Sequence, residues 1–185
     1  MAKKLYEHIL AHYPYSLTPH VTLQVLGVQE AQYVQEYRHG DCGAQSMLFS
    51  AMCRSLGIPA RSTGGYQMIM GHAGTHFWAE FYLEGYGWIP VDVTVAEAGD
   101  WTGTISEDER RRFKAFFFAN LDPYRYVIQK DVDLPLSPAP EETVLTDSVP
   151  PIVMQAPFIE CPSCTANPFI ILDSYTRTTI TPVYR

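Results

Sequence analysis

Three residues in the first half of the chain, Cys42, His76 and Asp92, have types and an order that suit nucleophilic acyl transfer. A cysteine can attack an amide carbonyl when a histidine accepts its proton, and a carboxylate can orient the ring of that histidine. We therefore expect Cys42 to be the nucleophile, His76 the general base, and Asp92 the residue that holds the ring. Water or a second amine would then resolve the thioester.

The residues around Cys42 indicate the first turn of a helix. Gly40-Asp41 is a turn pair, and apolar residues then recur near the helical period as far as Gly57, where glycine ends the helix. The free N–H groups and the dipole at a helix N-terminus favour a thiolate over a thiol. A lone cysteine is more often a small buried apolar residue, but a position between two glycines at a helix start favours exposure. Cys53, further along the same helix, is expected to be buried and inert.

After Pro59 the apolar period changes from near 3.6 to 2, which indicates strands joined by short turns. Short turns make neighbouring strands antiparallel. The expected strands cover residues 60–70, 75–83 and 88–93. Gly64-Gly65 predicts a bulge or a close backbone approach in the first strand. His76 enters the second strand and Asp92 closes the third, so we expect the two to lie roughly opposite each other.

The remaining elements follow from periodicity and capping signals. Helices are predicted at residues 3–12 and 31–37 and after Ser106, and a return strand at 124–132, whereas residues 17–27 fit either a strand or a helix. Residues 95–103, including Trp101, are expected to form a loop. Ser106 should cap its helix, because acidic residues follow it in the first turn and basic residues come after them.

Four segments around the three reactive residues resemble the transglutaminase-like superfamily, in particular its bacterial members. They are Gly40–Cys42, Arg54–Arg61, His76–Glu80 and Gly87–Thr94, in that order. The resemblance implies an α+β papain-like cysteine proteinase (transglutaminase core) fold, with N-terminal helices and the nucleophile helix packed on an antiparallel sheet. It also implies a Cys-His-Asp triad and an acyl-enzyme at Cys42. It implies no particular substrate, because the superfamily includes cross-linkers, peptidases, amidases, deglycosylating enzymes and inactive proteins.

Two classes of function fit this sequence. The first is an enzyme that acts on a protein or peptide substrate as a cysteine peptidase, an amidase or a protein-glutamine acyltransferase. The second is a catalytically silent binding module that presents its cleft or its edge strands to a protein partner. The complete set of Cys42, His76 and Asp92 favours the enzyme.

An acyl-transfer site also needs hydrogen-bond donors for the oxyanion that develops on the substrate. The backbone N–H of Cys42 is a natural donor, because it lies at a helix start. Tyr15, Gln24 and Gln35 are candidates for the second donor or for substrate contacts, by residue type and because they precede the cysteine. The alternative for Tyr15 is a half-buried packing residue with its hydroxyl satisfied.

Metal and redox sites are weakly indicated. Cys161 and Cys164 form a Cys-x-x-Cys motif, which is typical of half a zinc site, a redox pair or a disulfide-closed turn. No further pair of ligands lies nearby, so a structural turn is favoured over a metal site. His72 and His76 have the spacing of a helical metal pair, but glycines at 71 and 74 disfavour a helix. We expect no cofactor and no calcium site.

The bulk composition predicts one domain over residues 1–185, with a core at about 1–132. Residues 133–185 are expected to form a proline-rich connection and added edge strands. The net charge of −7 argues against nucleic acid as a partner, and no apolar run reaches the length of a membrane span. The N-terminus is too polar for a signal-peptide core, so the sequence as written predicts a soluble cytoplasmic protein; an export signal already removed is the alternative. The oligomeric state is not predicted.

Overall fold

The computed structural model of the protein describes residues 1–69 and 72–132, without the side chains at positions 21, 24, 69, 72 and 73. Within these ranges the chain is α+β, as predicted. The helices are Ala2–His12 (α1), His20–Leu26 (α2), Glu30–Tyr37 (α3), Cys42–Ser55 (α4), Val93–Trp101 (α5) and Glu107–Phe116 (α6). The strands are Ala60–Ile69 (β1), His72–Leu83 (β2), Gly87–Val91 (β3) and Arg125–Gln129 (β4).

The strands form one antiparallel sheet in the order β3-β2-β1-β4. The strands β1 and β2 form its long central pair, with Ala60 opposite Phe81 at one end and Ile69 opposite His72 at the other. The sheet therefore has the antiparallel neighbours that the sequence predicts: β2 pairs with β1, and β3 pairs with β2. The added strand β4 confirms the predicted return strand, and it pairs on the far side of β1.

Helix α4 packs on β1 and β2, and α1, α3 and α5 pack on α4. Because neighbours surround it, α4 buries apolar residues on several faces instead of one stripe. Phe49 on α4 meets Phe81 on β2 with 6.4 Å between ring centroids, and both are buried. The buried core also contains Tyr6, Ile9, Val34, Ala44, Leu48, Cys53, Ala79 and Val91. Cys53 is fully buried, as predicted.

Residues 93–101 form helix α5, so the prediction of a loop over 95–103 was wrong. The side chain of Asp92 caps this helix by accepting a hydrogen bond from the N–H of Val95 at 3.0 Å. Val93 and Ala96 are buried in the core. The run of β-branched residues after Asp92 mimics the end of a strand. The cap and the burial outweigh that local preference, and the third strand ends at Val91.

The other helix predictions are confirmed. Residues 17–27, which fit either a strand or a helix, contain α2. Helix α6 has the predicted cap at Ser106, where Ser106 and Glu109 form a reciprocal capping box. The predictions for residues 133–185 fall outside the described residues, so the connection and edge strands there remain predictions.

Gly65 confirms the close backbone approach predicted for Gly64-Gly65. The β1–β4 register shifts between these two glycines, and a Cβ atom added at Gly65 would come within 2.0 Å of the carbonyl oxygen of Tyr126. Only a glycine leaves room for β4 at this distance. The approach also determines where Arg125, the first residue of β4, lies.

Candidate active site

His76 and Asp92 are joined by a hydrogen bond of 2.8 Å between Nε2 and Oδ2. Both side chains are buried. The sequence predicted that the two residues lie roughly opposite each other across the strand pair. They do not, because the β2–β3 pairing ends at Ala79 and Val91. Asp92 lies one residue past the end of that pairing, at the cap of α5. The carboxylate reaches the ring from the helix start, and the predicted contact forms by a different geometry.

Cys42 is the first residue of α4 and is partly exposed. Because Asp92 occupies Nε2 of His76, the other ring nitrogen, Nδ1, is left for Cys42. Burial lowers the pKa of His76, but the Asp92 carboxylate and a hydrogen bond with Cys42 outweigh burial and raise that pKa to about 9. The imidazolium form of His76 is therefore favoured beside the sulfur at neutral pH.

The pKa of Asp92 is held below its ordinary value. Burial alone would raise it, but the charge and hydrogen bond of His76, the Arg125 guanidinium and the N–H of Val95 lower it. Asp92 is thus a carboxylate with no exposed surface. It can orient the His76 ring and stabilise the imidazolium.

The turn before Cys42 leaves backbone donors at the helix start. Asp41 caps α4: its Oδ1 accepts from the N–H of Ala44 at 3.0 Å, and its carbonyl oxygen accepts from the N–H of Gln45 at 2.8 Å. The N–H groups of Cys42 and Gly43 come before these bonds and have no partner within the helix. They can donate to an oxyanion formed next to the Cys42 sulfur.

Asp41 is paired with His20 of α2. Nε2 of His20 lies 2.7 Å from Oδ2 of Asp41, and Nδ1 lies 3.2 Å from Oε1 of Glu30. Burial lowers the pKa of His20, but its bonds to the two carboxylates raise that pKa to about 9. No local pattern in the sequence indicates this cluster beyond the residue types, because its members lie at the starts of three different helices.

A second cluster, which is buried, joins Gln45 of α4 to Thr94 and Glu97 of α5. Gln45 donates to Glu97 Oε1 at 3.1 Å and accepts from the hydroxyl of Thr94 at 2.6 Å. Glu97 Oε2 accepts from the backbone N–H of Tyr15 at 2.8 Å. Burial raises the pKa of Glu97 to about 7, despite the hydrogen bonds from Gln45 and Tyr15. This cluster was not predicted from the sequence, where the only local hint is the spacing of Gln45 from Cys42, about one helical turn.

The structure brings Tyr15, but not Gln35, near Cys42. Tyr15 forms a parallel bridge with Gly40, two residues before Cys42, and its ring makes an edge contact with Trp101 at 5.6 Å between centroids. Burial, Cys42 and Asp41 raise the pKa of Tyr15. Gln35 is exposed on α3, and no contact within the described residues joins it to Cys42 or His76.

The other predicted site residues lie wholly or partly beyond the described structure. Gln24 belongs to α2, but its side chain is outside the described part of the chain, as is that of His72. Cys161 and Cys164 are also outside it. Across residues 1–69 and 72–132, no three His, Cys, Asp or Glu side chains are grouped so that they could hold a metal ion. No helix in the same ranges is long and apolar enough to cross a membrane.

Arg125 is a further residue at this site that was not assigned to it from the sequence. Its Nη1 donates to Asp92 Oδ2 at 2.6 Å, and its Nε and Nη2 donate to Asp122 Oδ2 at 2.9 and 2.7 Å. The guanidinium lies over the ring of Trp78, 5.2 Å from the centroid. The contact with Asp92 depends on the pairing of β4 with β1: the Gly64-Gly65 pair predicts a close approach there, but not which segment of the chain makes it.

Comparison with known protein families shows which family this chain belongs to. Residues 1–93, half of the 185, match the Transglutaminase-like superfamily. The chain belongs to this superfamily, as the resemblance of its four segments implied. The match contains all three of Cys42, His76 and Asp92. A comparison with curated protein sequences finds no match.

Solved structures similar to this chain include a "Putative Cysteine Protease from Cytophaga hutchinsonii" at 27% identity and a TM-score of 0.40. Another is the periplasmic domain of TgpA from Pseudomonas aeruginosa, at 23% identity and a TM-score of 0.39. Each alignment covers 50% of this chain. The chain spans 30% of the first structure's chain and 36% of the second.

Proposed function

We propose that the protein is a thiol-dependent enzyme that transfers or hydrolyses the acyl group of an amide or peptide substrate, with Cys42, His76 and Asp92 as its triad. The observation that carries the proposal is the 2.8 Å bond that places a buried carboxylate on one nitrogen of His76. Cys42, at the start of α4, also forms a hydrogen bond with His76. A buried imidazole held in this way is suited to accept a proton from sulfur and return it.

The proposed reaction begins from the ion pair in which Nδ1 of His76 already holds the proton of Cys42, and the sulfur attacks the substrate carbonyl carbon. The N–H groups of Cys42 and Gly43 bind the oxyanion of the tetrahedral intermediate. When the intermediate collapses, the carbon–nitrogen bond breaks, and His76 gives its proton to the leaving amine or ammonia. A thioester on Cys42 remains.

The second half of the reaction releases the acyl group. His76 removes a proton from water or from a second amine, which attacks the thioester carbonyl. The carbon–sulfur bond then breaks, and His76 returns the proton to the sulfur of Cys42. Water gives hydrolysis, and an amine gives a new amide, so the same site serves a peptidase, an amidase or a protein-glutamine acyltransferase.

The test is a substrate survey read by mass spectrometry. A mixture of peptides and unfolded proteins is incubated with the enzyme, with and without a labelled primary amine. Shorter peptides report peptide hydrolysis, conversion of glutamine to glutamate reports amidase activity, and labelled peptides report transfer. The proposal predicts product from the wild-type chain and from Cys53→Ala, which removes the buried thiol of the same helix. It predicts no product from Cys42→Ala.

Turnover that survives Cys42→Ala would overturn the proposal. If the wild-type chain instead retains a protein from the mixture without converting it, the silent binding module is the better account. The comparison of Cys42→Ala with Cys53→Ala separates loss of the nucleophile from a general effect of changing a cysteine in α4.

A further inference from the structure

Oδ2 of Asp92 accepts two hydrogen bonds, one from His76 and one from Arg125. The donors are His76 Nε2 at 2.8 Å and Arg125 Nη1 at 2.6 Å. The side chain of Asp92 has no exposed surface, and that of Arg125 is 6% exposed. The carboxylate that orients the proposed general base therefore has a permanent cation on the same oxygen atom.

Arg125 is fixed independently of Asp92. Two of its nitrogens donate to Asp122 Oδ2, and Gln67 of β1 lies 3.4 Å from the same oxygen. The guanidinium lies over Trp78, whose ring stacks with that of His76 at 6.2 Å between centroids and an interplanar angle of 27°. A guanidinium held by a carboxylate and an aromatic face is preorganised, so little side-chain freedom is lost in its contact with Asp92.

We propose that Arg125 is a positioning residue of the triad, which keeps Asp92 ionised and its Oδ2 in place in both protonation states of His76. This inference rests on the proposed function. Arg125 touches neither the substrate nor the sulfur, and it acts through Asp92.

The need for such a residue follows from the reaction. His76 alternates between imidazolium and neutral imidazole as it takes and returns protons. Each time His76 becomes neutral, Asp92 loses the charge that compensates it, and an isolated buried carboxylate is strongly destabilised. Arginine stays protonated throughout the working pH range, so Arg125 supplies the compensating charge in that state. The N–H of Val95 adds a hydrogen bond to the other oxygen, Oδ1, at 3.0 Å.

A purely structural role does not account for the contact. Asp122, three residues away on the chain, already gives the guanidinium of Arg125 a carboxylate partner. Holding β4 against β1 through Arg125 therefore requires no second carboxylate. The close approach at Gly65 brings β4 near enough to β1 for Nη1 to reach Asp92, which lies beyond β3 on the opposite side of the sheet order.

The test is an NMR titration of the His76 ring in the full chain, which needs no substrate. The titratable or charged groups that act on His76 or on its Asp92 partner are Cys42 of α4, Tyr6 of α1, Asp92 itself and Arg125 of β4, with Asp122 behind Arg125. Removing a nearby cation favours the protonated ring, and removing a nearby anion disfavours it. Arg125→Gln should therefore raise the pKa of His76, whereas Asp122→Asn should lower it.

Arg61→Gln is the matched control. Arg61 makes the same kinds of contact at a distance from the site: it pairs with Glu80 at 2.7 Å, and it lies over Trp88 at 3.9 Å from the centroid. This variant should leave the titration of His76 unchanged. Arg125→Lys keeps the charge and should leave the pKa of His76 near the wild-type value.

Turnover gives a second readout once a substrate is known. We expect Arg125→Gln to lower kcat about 100-fold, less than the roughly 10⁴-fold loss expected for the orienting carboxylate itself. KM should change little, because Arg125 does not touch the substrate. Arg125→Lys should have a kcat about tenfold higher than that of Arg125→Gln, because lysine keeps the positive charge but lacks the planar set of donors of arginine.

Opposite shifts of the His76 pKa in Arg125→Gln and Asp122→Asn would support the proposal. Unchanged titration in folded Arg125→Gln would overturn it, as would shifts of the same sign in both variants. If Arg125→Gln does not fold, Arg125→Lys and Asp122→Asn decide: an unchanged or raised pKa in Asp122→Asn overturns the proposal. If Cys42 of the wild-type chain is unreactive, the proposed function is refuted. The NMR titration of His76 still tests the Arg125–Asp92 contact in that case.

Discussion

Nε2 of His20 lies 2.7 Å from Oδ2 of Asp41, the residue directly before the proposed nucleophile. A carboxylate so close to Cys42 opposes a thiolate by charge repulsion, although the same side chain caps α4 through the N–H of Ala44. The imidazolium of His20 compensates that charge while leaving the cap in place. Asp41 can therefore cap α4 without opposing the thiolate form of Cys42.

This pairing predicts a pH-dependent contribution of His20 to stability. The pKa of His20 is raised from 6.5 to about 9 in the folded protein. Its contribution is therefore fully present below about pH 6.5, and it is lost as the pH rises through about 9. Urea unfolding of His20→Gln should show a deficit against the wild-type chain at the lower pH that shrinks at the higher. His12→Gln, at an exposed position of α1, is the control. An equal deficit at both pH values would contradict the pairing.

Asp92→Asn tests the orienting carboxylate. We expect kcat to fall by roughly 10⁴-fold, because an amide no longer holds the productive tautomer of His76. The sequence alone predicts that Asp92→Ala slows the reaction without unfolding the chain. For Asp92→Ala the structure adds a cost of about 3–5 kcal/mol to the free energy of unfolding, because Arg125 loses a buried partner and α5 loses its cap. Kinetics and urea unfolding measure the two effects.

Ser106→Ala is the matched control for the cap of α5, since Ser106 caps α6 away from the site. It should lower the free energy of unfolding by about 1 kcal/mol and leave turnover unchanged. If Asp92→Ala and Ser106→Ala reduce turnover to the same extent, Asp92 has no role in the chemistry beyond capping.

Glu97 should make the protein less stable as the pH rises through neutrality. Burial raises its pKa from 4.5 to about 7, so its contribution is fully present below about pH 4.5 and is lost by pH values above about 7. Glu97→Gln should remove this dependence. It should also cost about 1–3 kcal/mol, because an amide nitrogen would face the N–H of Tyr15 or the side-chain amide of Gln45. Urea unfolding across this range is the measurement, and an unchanged pH profile would refute the assignment.

Gly65→Ala tests the close approach of β4. The added Cβ would lie 2.0 Å from the carbonyl oxygen of Tyr126, and we expect a loss of about 3 kcal/mol or more of unfolding free energy. Turnover should also fall, because displacement of β4 moves Arg125 away from Asp92. Gly74→Ala on β2 is the control, since its nearest neighbour would be a backbone oxygen at 3.9 Å. Equal effects of the two variants would contradict the assigned geometry.

Much of the fold could be predicted because its signals are local. The apolar period before Gly57 predicts α4, and the change of period after Pro59 predicts the strands. The order of Cys42, His76 and Asp92 predicts which residues meet, and the structure brings His76 to Asp92. These features depend on residue spacing along one or two elements.

The remaining features depend on tertiary contacts. Helix α5 was missed because the β-branched residues after Asp92 favour a strand, and the cap at Asp92 together with burial against the core decides for a helix. His20, Glu97 and Arg125 were missed because each contacts residues that are distant along the chain. No periodicity marks a polar residue whose partner lies on another element.

Alkylation of Cys42 by iodoacetamide, located by peptide mass spectrometry, tests the central claim most directly. Burial raises the pKa of Cys53 to about 11, so Cys53 serves as an internal reference in the same helix. At neutral pH the account predicts that Cys42 reacts far faster than Cys53, and about tenfold or more faster in the wild-type chain than in His76→Gln, because the imidazolium favours the thiolate. Equal labelling of the two cysteines, or a rate at Cys42 that does not depend on His76, would contradict the account.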